Sequence, residues 1–138
     1  MTDPRGRHLP RPTPETAAFW DGCRERKLMI QRCSACGHHQ FYPRIICTEC
    51  MSDQLEWVQA AGHGTVASFS VARRPVSEAY APDVPYVIAL IKLDEGPTMM
   101  TNVIECDPER VQIGMAVQVV FEDWTDEITM PKFRPQGS

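Results

Sequence analysis

The stretch CSACGHHQFYPRIICTEC, residues 33–50, holds two Cys-x-x-Cys pairs, Cys33 with Cys36 and Cys47 with Cys50. Each pair sets two sulfurs on one tight turn. A hairpin that brings the turns together makes a tetrahedral four-sulfur site, which zinc accepts at about 2.3 Å. Gly37 directly follows the first pair and gives the backbone the freedom to fold its amides round a thiolate. The second pair is followed by Met51, a departure from that pattern. Four thiolates leave no open coordination position, so the sequence predicts one structural zinc ion (Zn2+) per chain, without a Lewis-acid role. Such an ion contributes folding free energy on the order of 10 kcal/mol, judged by zinc-finger peptides. Iron accepts the same geometry, whereas disulfides do not suit a cytosolic chain. His38 and His39 adjoin a site that four sulfurs already fill, and read as strand residues or as donors to the ligands. Cys23 and Cys106 stand apart and read as small buried hydrophobes.

Outward from the cysteines the pattern has period two. Leu28, Ile30 and Arg32 alternate into the first pair, residues 39–42 form a return strand closed by Pro43, and residues 54–59 form a third strand. These bound a zinc ribbon over 27–61. Upstream, Thr13-Pro14-Glu15 marks a helix start with Thr13 as N-cap, for a helix over 13–26. Thr16, Trp20 and Cys23 share one face of it, while adjacent Phe19 and Trp20 require burial on more than one side. Residues 1–12, with three prolines and three arginines, read as a flexible, extended arm. Downstream, Gly62-His63-Gly64 reads as a turn, followed by strands at 65–71, 86–93, 98–104, 115–121 and 128–133. In the first of these, Val66, Ser68 and Ser70 alternate against Thr65, Ala67, Phe69 and Val71. Five short strands with no helical pattern between them predict a small closed barrel such as the OB-fold over 62–138, since closure removes sheet edges. The connection 73–85, with three prolines, is too long for a tight hairpin. The fold class is therefore mainly β: an N-terminal helix, a zinc ribbon and a C-terminal five-stranded barrel.

The 138 residues, 43% hydrophobic and 23% charged, have the composition of a folded chain with no room for a second large catalytic domain. No stretch approaches the roughly 20 apolar residues that cross a bilayer, and no apolar signal segment opens the sequence, which predicts a cytoplasmic protein. The net charge of −4 is uneven, at +3 over residues 1–50 and −7 over residues 51–138. Neither a Gly-x-Ser-x-Gly elbow nor a phosphate-binding glycine loop is present. His63 lies alone between two glycines, and Asp94-Glu95, Asp123, Asp126 and Glu127 flank turns, where carboxylates face water. These residues group into no catalytic site.

The runs FWDGCRERKLMIQRCSACGHHQFYPR (19–44), CTEC (47–50) and LEWVQAAGHGTVASFSV (55–71) resemble the DUF35 family. The resemblance covers about residues 12–134. It implies an N-terminal helix, a rubredoxin-like zinc ribbon and an OB-fold. It also implies a role as a non-catalytic, acyl-CoA-associated partner of thiolase-superfamily proteins, which include thiolases, acyltransferases and the aldolases of steroid side-chain degradation. Coenzyme A carries phosphates that arginine forks match, so Arg24, Arg26, Lys27, Arg32, Arg44, Arg73 and Arg74 are its candidate contacts, at or near the subunit interface. Phe19 and Trp20 are the candidate interface aromatics of a hetero-oligomer, and the 1–12 arm would add reach across the partner. The alternative is a module that binds single-stranded nucleic acid, since ribbons and OB-folds do so through basic grooves and stacked aromatics. An acidic barrel, with Phe69, Tyr86 and Phe121 scattered over three strands, counts against it.

Overall fold

The structure, a computed structural model, describes residues 2–136. Helix α1 (Ala17–Arg24) precedes a three-stranded antiparallel sheet of β1 (Met29–Cys33), β2 (His39–Gln40) and β3 (Leu55–Gln59), in the order β2-β1-β3. The chain then enters a closed barrel made by β4 (His63–Ala72), β5 (Tyr86–Leu93), β6 (Thr98–Val103), β7 (Ala116–Asp123) and β8 (Thr129–Pro135), in the order β4-β5-β6-β8-β7. The architecture is the one expected: mainly β, with an N-terminal helix, a ribbon and a five-stranded OB-fold barrel.

Closure concentrates on one glycine. Gly64 pairs with Leu93 of β5 on one side and with Val117 of β7 on the other, so three backbones meet there. A Cβ on Gly64 would lie 2.5 Å from the Lys92 carbonyl oxygen and 2.8 Å from Ile91 Cγ2, which explains a glycine inside a strand. The segment 62–64 is therefore not a simple turn: Gly62, at φ +83°, bends the chain, and His63 already belongs to β4. The alternation expected along β4 also breaks. A bulge between Val66 and Ser68 inserts Ala67, so the inward face passes from Val66 to Phe69 and Val71. The connection 73–85 carries a 3-10 helix at Glu78–Asp83.

Helix α1 is shorter than the expected 13–26. Residues 14–16 form a turn whose amides at Thr16 and Ala17 return to the Thr13 carbonyl. At the other end Arg26 adopts φ +64°, its N–H bonds the Cys23 carbonyl, and the Lys27 N–H bonds that of Gly22. This is a Schellman stop, where glycine is the usual choice. Arginine holds the position because its guanidinium forks onto both oxygens of Asp123, at 2.7 and 2.8 Å. Arg26, with the Thr129 hydroxyl, holds the Asp123 carboxyl well below the usual range.

One apolar core runs through both parts. Val66, Val87, Ile91, Leu93, Val117 and Phe133 fill the barrel, and Leu28, Ile30, Ala60, Phe19 and Cys23 extend the core beneath the ribbon. Cys23 is completely buried, and burial pushes its thiol up to about 12, as befits an inert packing residue. Phe19 is only 6% exposed, with its ring edge-on to Trp20 at 4.9 Å and to Phe41 at 5.4 Å. It is a core residue, which corrects the expectation that it faces a partner. Trp20 remains partly buried at the surface.

The N-terminal stretch departs from the expected free arm. Thr2 pairs with His8, and the Asp3 carboxylate accepts from the amides of Arg5 and Arg7 and from Arg7 Nε. The Arg7 guanidinium lies 3.8 Å from the centre of the Trp124 ring, and Arg5 bonds the Ala79 carbonyl and Asp83. Cation–π contact and charge-assisted hydrogen bonds order a segment whose composition alone reads as unstructured.

Replacing Phe19 by alanine should open a cavity at the helix–ribbon–barrel junction and cost about 3–5 kcal/mol in urea unfolding. A loss below about 1 kcal/mol would mean that the aromatic is not part of the core.

Candidate metal centre

Two equivalent turns build the site. In the first, the Gly37 amide returns to the Cys33 carbonyl at 2.7 Å with φ +81°; in the second, the Met51 amide returns to Cys47 at 2.9 Å with φ +64°. Met51 thus occupies the glycine position of the second turn and adopts its left-handed conformation. Two buried glutamines carry the turns on the ribbon. Gln31 accepts from the Arg44 amide and donates to the Arg44 carbonyl, while Gln40 donates to Gln31 and accepts from the Thr48 amide. This network fixes the segment that delivers Cys47, and nothing in the sequence announces it, because glutamine is ordinarily a surface residue.

The sulfurs of Cys33 and Cys50 are 3.6 Å apart, those of Cys36 and Cys47 are 3.7 Å apart, and all four lie within 4.8 Å of one another. A tetrahedron with arms of about 2.3 Å has edges of about 3.8 Å, so the donor set fits one four-coordinate metal ion. The spacing is too long for disulfides. Amides of Cys36 and Ala35 bond the Cys33 sulfur and hold its thiol down to about 7. Amides of Cys50 and Glu49 likewise lower Cys47. Cys36 receives the His38 amide, yet desolvation and the three neighbouring sulfurs push it up to about 12. The Ser52 amide lowers Cys50, yet Cys33, desolvation and Cys47 together raise its thiol above the ordinary value. Four thiolates at this distance repel one another unless a metal cation sits among them. His38 and His39 contribute no ligand; His38 Nε2 lies 3.5 Å from the Thr48 hydroxyl. Among the described residues these cysteines are the one grouping suited to a metal.

The seven basic residues singled out from the sequence fall in four places: Arg24, Arg26 and Lys27 at the end of α1, Arg32 on β1, Arg44 in the ribbon loop, and Arg73 and Arg74 after β4. Arg24 pairs with Asp21, Arg26 with Asp123, Arg32 with Glu56 and Arg73 with Glu109. Lys27, Arg44 and Arg74 are exposed, with no carboxylate partner among the described residues. Arg24 and Arg26 line one cleft, together with Asp123 and Asp126. Trp20 lines another, beside Tyr42. No helix among the described residues is long and apolar enough to cross a membrane.

Two family models match the chain: the ChsH2 rubredoxin-like zinc ribbon domain over residues 20–56 and the ChsH2 C-terminal OB-fold domain over residues 57–122. A DUF35 domain-containing scaffold protein of Methanothermobacter thermautotrophicus is 35% identical over 115 residues, 82% of this chain and 86% of that protein. A probable enoyl-CoA hydratase alpha subunit of Thermomonospora curvata is 40% identical over 119 residues, which are 86% of this chain but 37% of the hydratase subunit. Among solved structures, a chain described as Ltp2-ChsH2(DUF35) aldolase superposes with a TM-score of 0.83 at 36% identity, covering 92% of this chain and 98% of that one.

Met51 is 73% exposed, so replacing it loses no core contact while relieving a left-handed backbone. Met51→Gly should therefore raise stability of the metal-loaded protein by about 1 kcal/mol. Chemical denaturation checks this, and a destabilised variant would show that the side chain contributes more than its backbone strain costs.

Proposed function

The chain belongs to the DUF35 family, and from that premise we propose that it is a non-catalytic, zinc-binding accessory subunit of a thiolase-superfamily acyl-CoA enzyme. The observation that carries the reading is the superposition, along nearly the whole of both chains, on the one described as Ltp2-ChsH2(DUF35) aldolase. The resident metal is zinc, held by Cys33, Cys36, Cys47 and Cys50 in the reducing cytoplasm, and its role is structural because its ligands fill the shell.

The partner docks on the ribbon side. Trp20 takes the interface role alone, now that Phe19 belongs to the core. Beside it on the ribbon, Tyr42, Ile45, Ile46 and Met51 are 53%, 70%, 37% and 73% exposed, a concentration of apolar side chains unusual for a surface that faces only water. The CoA phosphates would meet Lys27, Arg44 and Arg74 first. Arg24, Arg26, Arg32 and Arg73 would have to exchange a carboxylate for a phosphate, at small cost because surface ion pairs are worth little. The nucleic-acid reading is weakened by the arm. In OB-folds, oligonucleotides use the face of the second and third strands and its flanking loops; here Arg5 and Arg7 occupy that region through Asp83 and Trp124.

Affinity capture of the tagged chain from its native host should recover a stoichiometric thiolase-fold enzyme. The mixture should process acyl-CoA, while the isolated chain does not. Trp20→Ala should weaken the complex about thirtyfold, the loss of a buried interface aromatic worth about 2 kcal/mol. Turnover by the isolated chain, or capture of nucleic acid in place of an enzyme, would refute the proposal.

A further inference from the structure

The barrel is thinnest where β6 meets β8. Across this parallel seam only Val103 and Phe133 are in register. Pro131 offers no N–H to the ladder, and the Thr101 hydroxyl bonds its carbonyl instead, at 3.0 Å. Over this seam, between the barrel, α1 and the ribbon, lies a groove of about 450 Å³. Trp20, Tyr42, Ile88, Met100 and Met130 line it, and Met100 is 61% exposed.

Lys132 gives this groove its chemistry. Its ammonium is mostly buried, donates to Asn102 Oδ1, and lies 5.2 Å from the centre of the Trp124 ring. Asn102 is itself held by donating to the Val87 carbonyl at 2.8 Å, so the acceptor is fixed. No carboxylate oxygen among the described residues comes within 4 Å of the ammonium. An ammonium has three protons, and Asn102 uses one. A second cleft of about 360 Å³, with Tyr80, Tyr86 and Glu122, meets the first at Ile88, Asn102 and Lys132. Burial lowers the basicity of Lys132, the effect that a bound anion would reverse.

We propose that this groove binds a small amphipathic carboxylate, with its apolar body against Trp20, Met100 and Met130 and its carboxylate on Lys132. Grooves of this size enclose most of a small ligand and fix it by few polar groups. The apolar walls select the body, and the unpaired ammonium selects the charge. The groove shares Trp20 and Tyr42 with the surface proposed above for the partner, so it is tested on the chain alone, where octanoate binding can fail without the accessory-subunit reading failing.

Calorimetric titration of the zinc-loaded full chain with octanoate, 1-octanol and acetate tests the proposal. Octanoate should bind at least tenfold more tightly than either control, since one control lacks the charge and the other the body. Lys132→Met should weaken octanoate at least tenfold and leave octanol within twofold, while Lys132→Arg should retain most of the affinity. Met100→Trp, at an exposed position on the groove wall, should block octanoate with Lys132 intact, and it decides the matter if Lys132→Met does not fold. Equal binding of octanoate and octanol, no binding of octanoate to the folded protein, or octanoate affinity indifferent to both Lys132→Met and Met100→Trp would overturn the proposal.

Discussion

Four sulfurs confined within 4.8 Å are the constraint on which the ribbon depends. Residues 29–59 supply three short strands; Leu28, Ile30 and Ala60 are buried in the apolar cluster and Phe41, Trp57 and Val58 pack against it, while the outer end that carries the cysteines adds no apolar residue to that cluster. Backbone amides aimed at the sulfurs stabilise negative charge at Cys33 and Cys47, while desolvation and mutual repulsion resist it at Cys36 and Cys50. A cation resolves that conflict and converts an unfavourable cluster into folding free energy. The buried Gln31–Gln40 pair then transmits the fixed position of Cys47 back into the sheet.

Ribbon and barrel are joined as one body. Phe19 and Cys23 of α1 enter the core shared by both, and the fork from Arg26 to Asp123 ties the end of the helix to β7. Helix α1 packs against β7 and β8, and the groove lies beside it over the β6–β8 seam. Folding and surface chemistry thus meet at one place: a proline in β8 thins the ladder, and the helix forms one wall of the groove beside it.

Much of this was legible in the residue order. The two Cys-x-x-Cys pairs located the metal site, and the run at residues 86–93 matched β5 because alternate burial on a barrel wall leaves a plain apolar signature. Features set by contacts between distant residues were hidden. The bulge at Ala67 reverses the face of β4 without any local marker. Arg26 ends α1 where a sequence reader expects glycine, since the residue that favours it, Asp123, is far along the chain. The arm looked disordered because its receptors, Trp124 and Asp83, lie in other elements. Phe19 and Trp20 adjoin in sequence, yet only the packing of Phe41 reveals which of them is core. The groove at Lys132 combines residues from α1, the ribbon and three strands, an arrangement that periodicity does not encode.

A chain organised this way gives its metal site a load to carry, and its ribbon exposes Tyr42, Ile45, Ile46 and Met51. Amide hydrogen exchange at Cys33, Gly37, Cys47 and Met51, read before and after complete metal removal by a chelator, tests that central claim most directly. The account predicts about one zinc per chain beforehand and loss of protection at all four amides afterwards. Full protection of these amides in the metal-free protein would contradict it.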